Sequence, residues 1–176
     1  MLRKVEVVPH DPNWLNLFEI ESKQIAIALG ENIIKVHHIG STSIEKIYAK
    51  PIIDILVEVS SLDKVDEQSL EMEALGYECM GEFGVENRRF FLKNDRNGIR
   101  THHIHIFEVG SVQLARHIAF RNYLNSHPED ALAYSSLKRS LAKRHPSDIE
   151  GYMDGKHNFI QEIDRKAVEW QSQNQS

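Results

Sequence analysis

The stretch Pro51-Ile-Ile-Asp-Ile-Leu-Val57, running on to Val59, constrains the fold most, because it sets a carboxylate inside an apolar run. An unpaired buried carboxylate is costly. Side chains alternate faces along a strand, and that alternation resolves the conflict. Ile53, Ile55, Val57 and Val59 form one wholly apolar face, suited to packing under helices. Ile52, Asp54, Leu56 and Glu58 form the other. Asp54 therefore projects from the opposite side of the sheet, where a cation or a hydrogen-bond donor is expected. Glu58 shares that face but lies roughly 13 Å farther along, too far to join Asp54 on one ion.

Around this strand the chain orders itself by period and punctuation. Asp11-Pro12 opens a helix carrying Trp14, Phe18, Ile25 and Leu29, closed by Gly30. A strand over Ile33 to Ile39 ends at Gly40, and Ser41 to Ala49 makes a short helix or tight connection. Ser60 or Ser61 caps a helix with Leu62, Val65 and Leu75 that stops at Gly76. Three strands follow, at Tyr77 to Gly81, Arg89 to Lys93 and His102 to Glu108, the last two joined through Asn97-Gly98. Beyond Gly110 the pattern is helical. One helix spans Val112 to Asn125, and Ser126-His-Pro-Glu129 has the spacing of a capping box. The helix it opens has Leu132, Leu137 and Leu141 on its buried side. A last helix covers about Ile149 to Trp170, before a Gln/Ser tail expected to fray. The expectation is a single α+β domain over residues 1–176, with a mixed or antiparallel sheet of about five strands packed on helices. Its helical C-terminal part occupies about 112–170.

Charge narrows the partners. A net −5 over 176 residues argues against nonspecific nucleic-acid binding. Between Leu114 and Ser147, however, Arg116, Arg121, Lys138, Arg139, Lys143 and Arg144 face only Glu129 and Asp130. That excess could attract an anion, although solvated helix faces are the blander reading. The lone Cys79 excludes an intrachain disulfide and reads as a small core side chain. The N-terminal Met-Leu-Arg-Lys-Val-Glu lacks a signal-peptide apolar stretch, and no run reaches transmembrane length. No membrane partner and a cytoplasmic location are expected.

The candidate chemistry gathers around Asp54. In Thr101-His-His-Ile-His-Ile-Phe107, Ile104 and Ile106 point one way, while His103 and His105 point the other, about 7 Å apart. With the isoleucines in the core, both histidines share the face of Asp54. Such a trio could bind a divalent metal, relay a proton, or hold an anion when protonated. In the turn Gly40-Ser41-Thr42-Ser43, glycine admits close approach and free amides with hydroxyls can hold phosphate. Lys50, Arg88 and Arg89 could add positive charge.

A Gly-Ser turn leading into an acidic strand is similar to the nucleotidyltransferase core typified by DNA polymerase β. The segments HIGSTSI, AKPIIDILVEV, Met72-Glu-Ala-Leu-Gly-Tyr77, RRFFLK, THHIHIFEVGS, RHIAFRNYLNSHPEDALAYSSLK and KHNFIQEI together resemble the GrpB family of small bacterial proteins, from about Val5 to Val168. The resemblance implies a nucleotidyltransferase-like fold. With the residues read above, a nucleotide or other phosphate-bearing ligand is expected at Gly40, Ser41, Thr42, Lys50, Arg88 and Arg89. A divalent metal (Mg or Mn) is expected at Asp54, His103 and His105, the candidate catalytic residues, the histidines standing in for a missing ligand. Two departures stand out. Leu56 occupies the place of the second metal-binding carboxylate, and Ile44-Glu45-Lys46-Ile47 replaces a Val-Pro-Gly-Leu-like turn. Metal-dependent nucleotidyl transfer and a non-catalytic nucleotide- or coenzyme-binding module are the two leading readings. A third is an adaptor presenting Tyr123 and Tyr134 to a partner.

Overall fold

A computed structural model describes residues 4–174. Its elements, in chain order, are α1 (Asn13–Leu29), β1 (Ile33–Ile39), β2 (Ile53–Val59), α2 (Leu62–Glu67), α3 (Ser69–Ala74), β3 (Glu78–Cys79), β4 (Arg88–Asn94), β5 (Arg100–Glu108), α4 (Val112–Ser126), α5 (Pro128–Arg144) and α6 (Ile149–Asn174). Among these residues the strands form one sheet in the order β1-β2-β5-β4-β3. The β2–β5 pair is parallel and its neighbours are antiparallel, so the sheet is mixed.

The alternation along β2 and β5 sorts the two faces as expected. Ile53, Ile55, Val57 and Val59 pack with Ile104 and Ile106 against Trp14, Ile25 and Leu29 of α1 and against Val65 and Met72. Each fully buried aliphatic side chain contributes about 1.5–3 kcal/mol. On the opposite face, Leu56 and Phe107 meet Ile39 and Leu114 of α4. Helices α4, α5 and α6 build a second apolar cluster around Tyr123, Tyr134 and Ile163, into which Ile44 and Ile47 insert. These C-terminal helices thereby close over the end of the sheet where Asp54 and the Gly40 turn lie.

Several local expectations need correcting. The helix from Ser61 breaks at Gln68, whose side-chain amide donates to the Leu29 carbonyl at the end of α1. Ser126 ends α4 instead of capping α5. His127 takes the boundary, its ring stacked on Tyr123 at 3.9 Å, and Pro128 begins the helix. Leu132 is exposed, and the buried stripe of α5 is Ala131, Tyr134, Ser135, Lys138 and Leu141. Cys79 is exposed because β3 is a two-residue strand at the sheet edge. Tyr123 and Tyr134 are both buried, so neither is available to an adaptor's partner. Helix α6 continues to Asn174, and the last of the expected tail, 175–176, lies outside the described residues, as do residues 1–3 of the N-terminal stretch. No described helix is long and apolar enough to cross a membrane.

Candidate functional site

The parallel pairing of β2 with β5 places Asp54 opposite His103 and Leu56 opposite His105. His105 Nε2 lies 3.1 Å, and His103 Nδ1 3.5 Å, from the same oxygen, Asp54 Oδ1. Their ring centres are 6.5 Å apart, close to the spacing expected along one face of a strand. Behind the imidazoles stand two arginines. Arg100 Nη1 is 2.9 Å from His103 Nε2, and Arg88 Nη1 is 3.4 Å from His105 Nδ1.

A guanidinium has no acceptor, so in each contact arginine donates to a ring lone pair. That fixes both tautomers: each histidine is neutral and carries its proton on the side of Asp54. Burial lowers the His103 pKa and outweighs the opposing pull of Asp54, in keeping with a neutral ring. Burial opposes ionisation of Asp54 as well. The hydrogen bonds from His103 and His105 outweigh it and hold the carboxyl well below its ordinary value. The neighbouring imidazoles share this state. Burial, then Arg116, brings His117 down to about 3, and burial brings His38 down to about 4. Near neutral pH the charge of the site is therefore set by Asp54 and by lysines and arginines.

This arrangement does not fit the expected divalent ion. A metal ligates imidazole through a lone pair, and the lone pairs of His103 and His105 accept from Arg100 and Arg88. Leu56, where a second carboxylate would stand, is fully buried in an apolar cluster. Among the described residues no group of three or more His, Cys, Asp or Glu is arranged to hold a metal ion.

In front of Asp54 opens a cavity of about 240 Å³. Its lining includes Gly40, Ser41, Lys50, Asp54, His103 and His105 from the sheet side. The wall supplied by α5 and α6 includes Tyr134, Lys138, Tyr152 and Lys156. Gly40 has φ +72°, and a Cβ there would lie 2.5 Å from Asp54 Oδ2, so glycine is required for the turn to approach the carboxylate. Thr42 is turned away from the cavity, with Oγ1 2.9 Å from His38 Nε2. Arg89 lies on the opposite face of the sheet, where it pairs with Asp66 at 2.7 Å. Its one-residue offset from Arg88 decides that. Arg88 reaches the site only through His105. Glu45 is exposed, and its backbone amide bonds to Asn125.

Sequence reasoning named Lys50 and counted Lys138 in a basic excess, but it missed Lys156 and the meeting of all three in one wall. Lys138 is 1% exposed and stands 4.4 Å from the Tyr134 ring centre, and Lys156 is 4.7 Å from that of Tyr152. Lys50 also approaches the Tyr152 ring, at 5.3 Å from its centre. Burial, then Lys156 and Lys50, bring the Lys138 pKa down to about 6. Burial and Lys50 bring Lys156 down to about 8, against the pull of Asp54. A signal existed in the repeated Tyr-x-x-x-Lys spacing, Tyr134 to Lys138 and Tyr152 to Lys156, which puts each lysine one helical turn beyond an aromatic ring.

Residues 4–166 match the family model of the GrpB protein. The chain belongs to the GrpB family. A curated relative, the UPF0157 protein YqkA of Bacillus subtilis (strain 168), is 42% identical over 96% of this chain, which spans 48% of the length of YqkA. The crystal structure of conserved protein GrpB from Enterococcus faecalis superposes with a TM-score of 0.89 at 45% identity, covering 93% of this chain and 98% of that one. A more distant likeness extends to the Cid1 poly(U) polymerase in its MgGTP-bound crystal structure. There the TM-score is 0.52 at 14% identity, over 77% of this chain and 44% of the polymerase. The chain thus has a nucleotidyltransferase-like fold. Within that fold this member has Leu56 and two arginine-bound histidines around Asp54.

Proposed function

We propose that this GrpB protein binds a nucleotide or another phosphate-bearing small molecule in the cavity between the Gly40-Ser41 turn and the lysine wall, without a divalent ion. It acts on this reading as a binding module. The observation that carries the proposal is the convergence of Lys50, Lys138 and Lys156 on the cavity that the Gly-Ser turn also lines. In two-metal transfer the ions neutralise the phosphates and orient attack. Here three ammonium groups supply the positive charge, and a single carboxylate facing neutral imidazoles leaves the usual ion ligands incomplete.

Thermal unfolding tests this directly with AMP, ADP and ATP as probes, each in excess EDTA and in excess Mg²⁺. A ligand present at about 100 times its dissociation constant stabilises the fold by about 2.7 kcal/mol. For a chain of this size that corresponds to roughly 5–10 °C in melting temperature. At least one probe is expected to give such a shift in EDTA, with no nucleotide consumed. Shifts that appear only with Mg²⁺, or turnover of the probe, would reject the metal-free binding module.

A further inference from the structure

Two buried polar atoms in the cavity wall have no hydrogen-bond partner: Lys138 Nζ and Tyr152 Oη. Lys138 is 1% exposed and Tyr152 is fully buried, and both line the cavity. An unmet buried hydroxyl costs about 1–3 kcal/mol, and a buried ammonium without a counter-charge costs more. Water in the cavity could hydrogen-bond to both atoms, but it brings no negative charge to the lysine wall. An anion with two or more acceptor oxygens answers both needs at once.

The charge required follows from the groups that line the cavity with Lys138. They are Lys50 before β2, Asp54 on β2, His103 and His105 on β5, Tyr134 on α5, and Tyr152 and Lys156 on α6. With the imidazoles neutral, and once Lys138 has taken up its proton, the three lysines against Asp54 leave two positive charges. The cavity, at about 240 Å³, is smaller than the range of roughly 300–1,000 Å³ usual for drug-sized ligands. It suits one phosphate group with the rest of the ligand outside, and Asp54 repels further phosphates.

We propose that Lys138 and Tyr152, flanked by Lys50 and Lys156, seat a terminal phosphate dianion, as carried by a phosphomonoester such as a nucleoside monophosphate or a sugar phosphate. The proposal rests on reading the cavity as the site of a phosphate-bearing ligand. Phosphate oxygens accept from Lys138 Nζ and Tyr152 Oη. Lys138, largely neutral in the ligand-free protein near neutral pH, takes one proton from solution as the dianion enters. Linkage gives the sign: between the free and the bound pKa of Lys138, from about pH 7 to about pH 8, affinity falls by up to about tenfold per unit, because the proton must be supplied from a thinner pool, and above that window the loss levels off.

NMR of protein labelled at lysine Cε tests the seat, with inorganic phosphate, AMP, ATP and adenosine as probes. Lys138→Met identifies the Lys138 signal by its loss. In the ligand-free protein that signal is expected to titrate near pH 6. With saturating inorganic phosphate or AMP it should stay protonated about two pH units higher, whereas adenosine leaves it unmoved and ATP binds more weakly than AMP. If AMP perturbs the Gly40 and Ser41 amides without moving Lys138, or binds Lys138→Met as well as the unmodified protein, the seat is wrong while the cavity reading stands. If ATP binds as tightly as AMP, the preference for a single dianion is wrong. If adenosine binds as tightly as AMP, or no probe perturbs any cavity residue, both readings fall.

Discussion

Lys138→Met is expected to weaken binding of a phosphate-bearing ligand by about 100-fold and, at the same time, to make the ligand-free protein more stable. The first effect follows from deleting one member of a buried charge contact, which costs about 2–5 kcal/mol of binding. The second has the opposite sign because the ammonium has no partner in the free cavity. Replacing poorly compensated buried charge with an apolar side chain of similar reach stabilises proteins by about 1–4 kcal/mol. Methionine keeps the packing against Tyr134. The gain should depend on pH in a definite direction. In the folded protein burial lowers the Lys138 pKa to about 6 from the ordinary lysine value of 10.5. Between those values the unfolded chain binds more protons than the native one, so native stability rises with pH. The stability advantage of Lys138→Met should therefore be largest near pH 6 and shrink towards pH 10. Urea unfolding of both proteins across that range measures it. Equal stability at every pH would mean that the lysine is compensated in the free protein.

Glu21→Ala is expected to cost about 3 kcal/mol or more of folding stability while leaving the phosphate site unchanged. Glu21 is 6% exposed on α1, on the helix-covered face of the sheet and away from the cavity. It accepts from Tyr77 Oη at 2.6 Å and from Lys93 Nζ at 2.6 Å, with His102 Nε2 at 3.9 Å. Burial opposes its ionisation, but the bonds from Lys93 and Tyr77 outweigh that and lower its pKa. Removing the acid strands a phenol and an ammonium together, the situation in which breaking a buried pair costs about 3–5 kcal/mol. Because the folded pKa lies below the ordinary value, this contribution is fully present above pH 4.5 and fades as pH falls through the folded value. Urea unfolding near neutral pH checks the size, and Glu21→Gln, which keeps an acceptor for Tyr77, should lose less. A loss below about 1 kcal/mol would show that Tyr77 and Lys93 find other partners.

Much of the sheet side of the site was legible from strand alternation. Period-two patterning put Asp54, His103 and His105 on one face because a strand fixes side-chain direction residue by residue. The same parity argument, pushed one residue further, would have separated Arg88 from Arg89, which pairs with Asp66 on the other face. Thr42 was less accessible to such reasoning, because its direction is fixed by a tight turn and by His38. The lysine wall was the largest gap. Whether a helical lysine is solvated or buried depends on how α5 and α6 dock, which local composition does not encode. The tautomers of His103 and His105 likewise depend on arginines brought in by tertiary packing. The metal expectation took both imidazole lone pairs as free.

Asp54→Asn gives the most direct measurement of the central claim, that lysines and not a metal ion hold the anion. The amide keeps an oxygen for His103 and His105 and removes the negative charge that faces the lysine wall. Calorimetric titration of the substituted and unmodified proteins in EDTA, with the tightest phosphate-bearing probe, should show affinity retained or about two- to tenfold tighter in Asp54→Asn. Binding that requires Mg²⁺ and disappears with Asp54 would contradict the account.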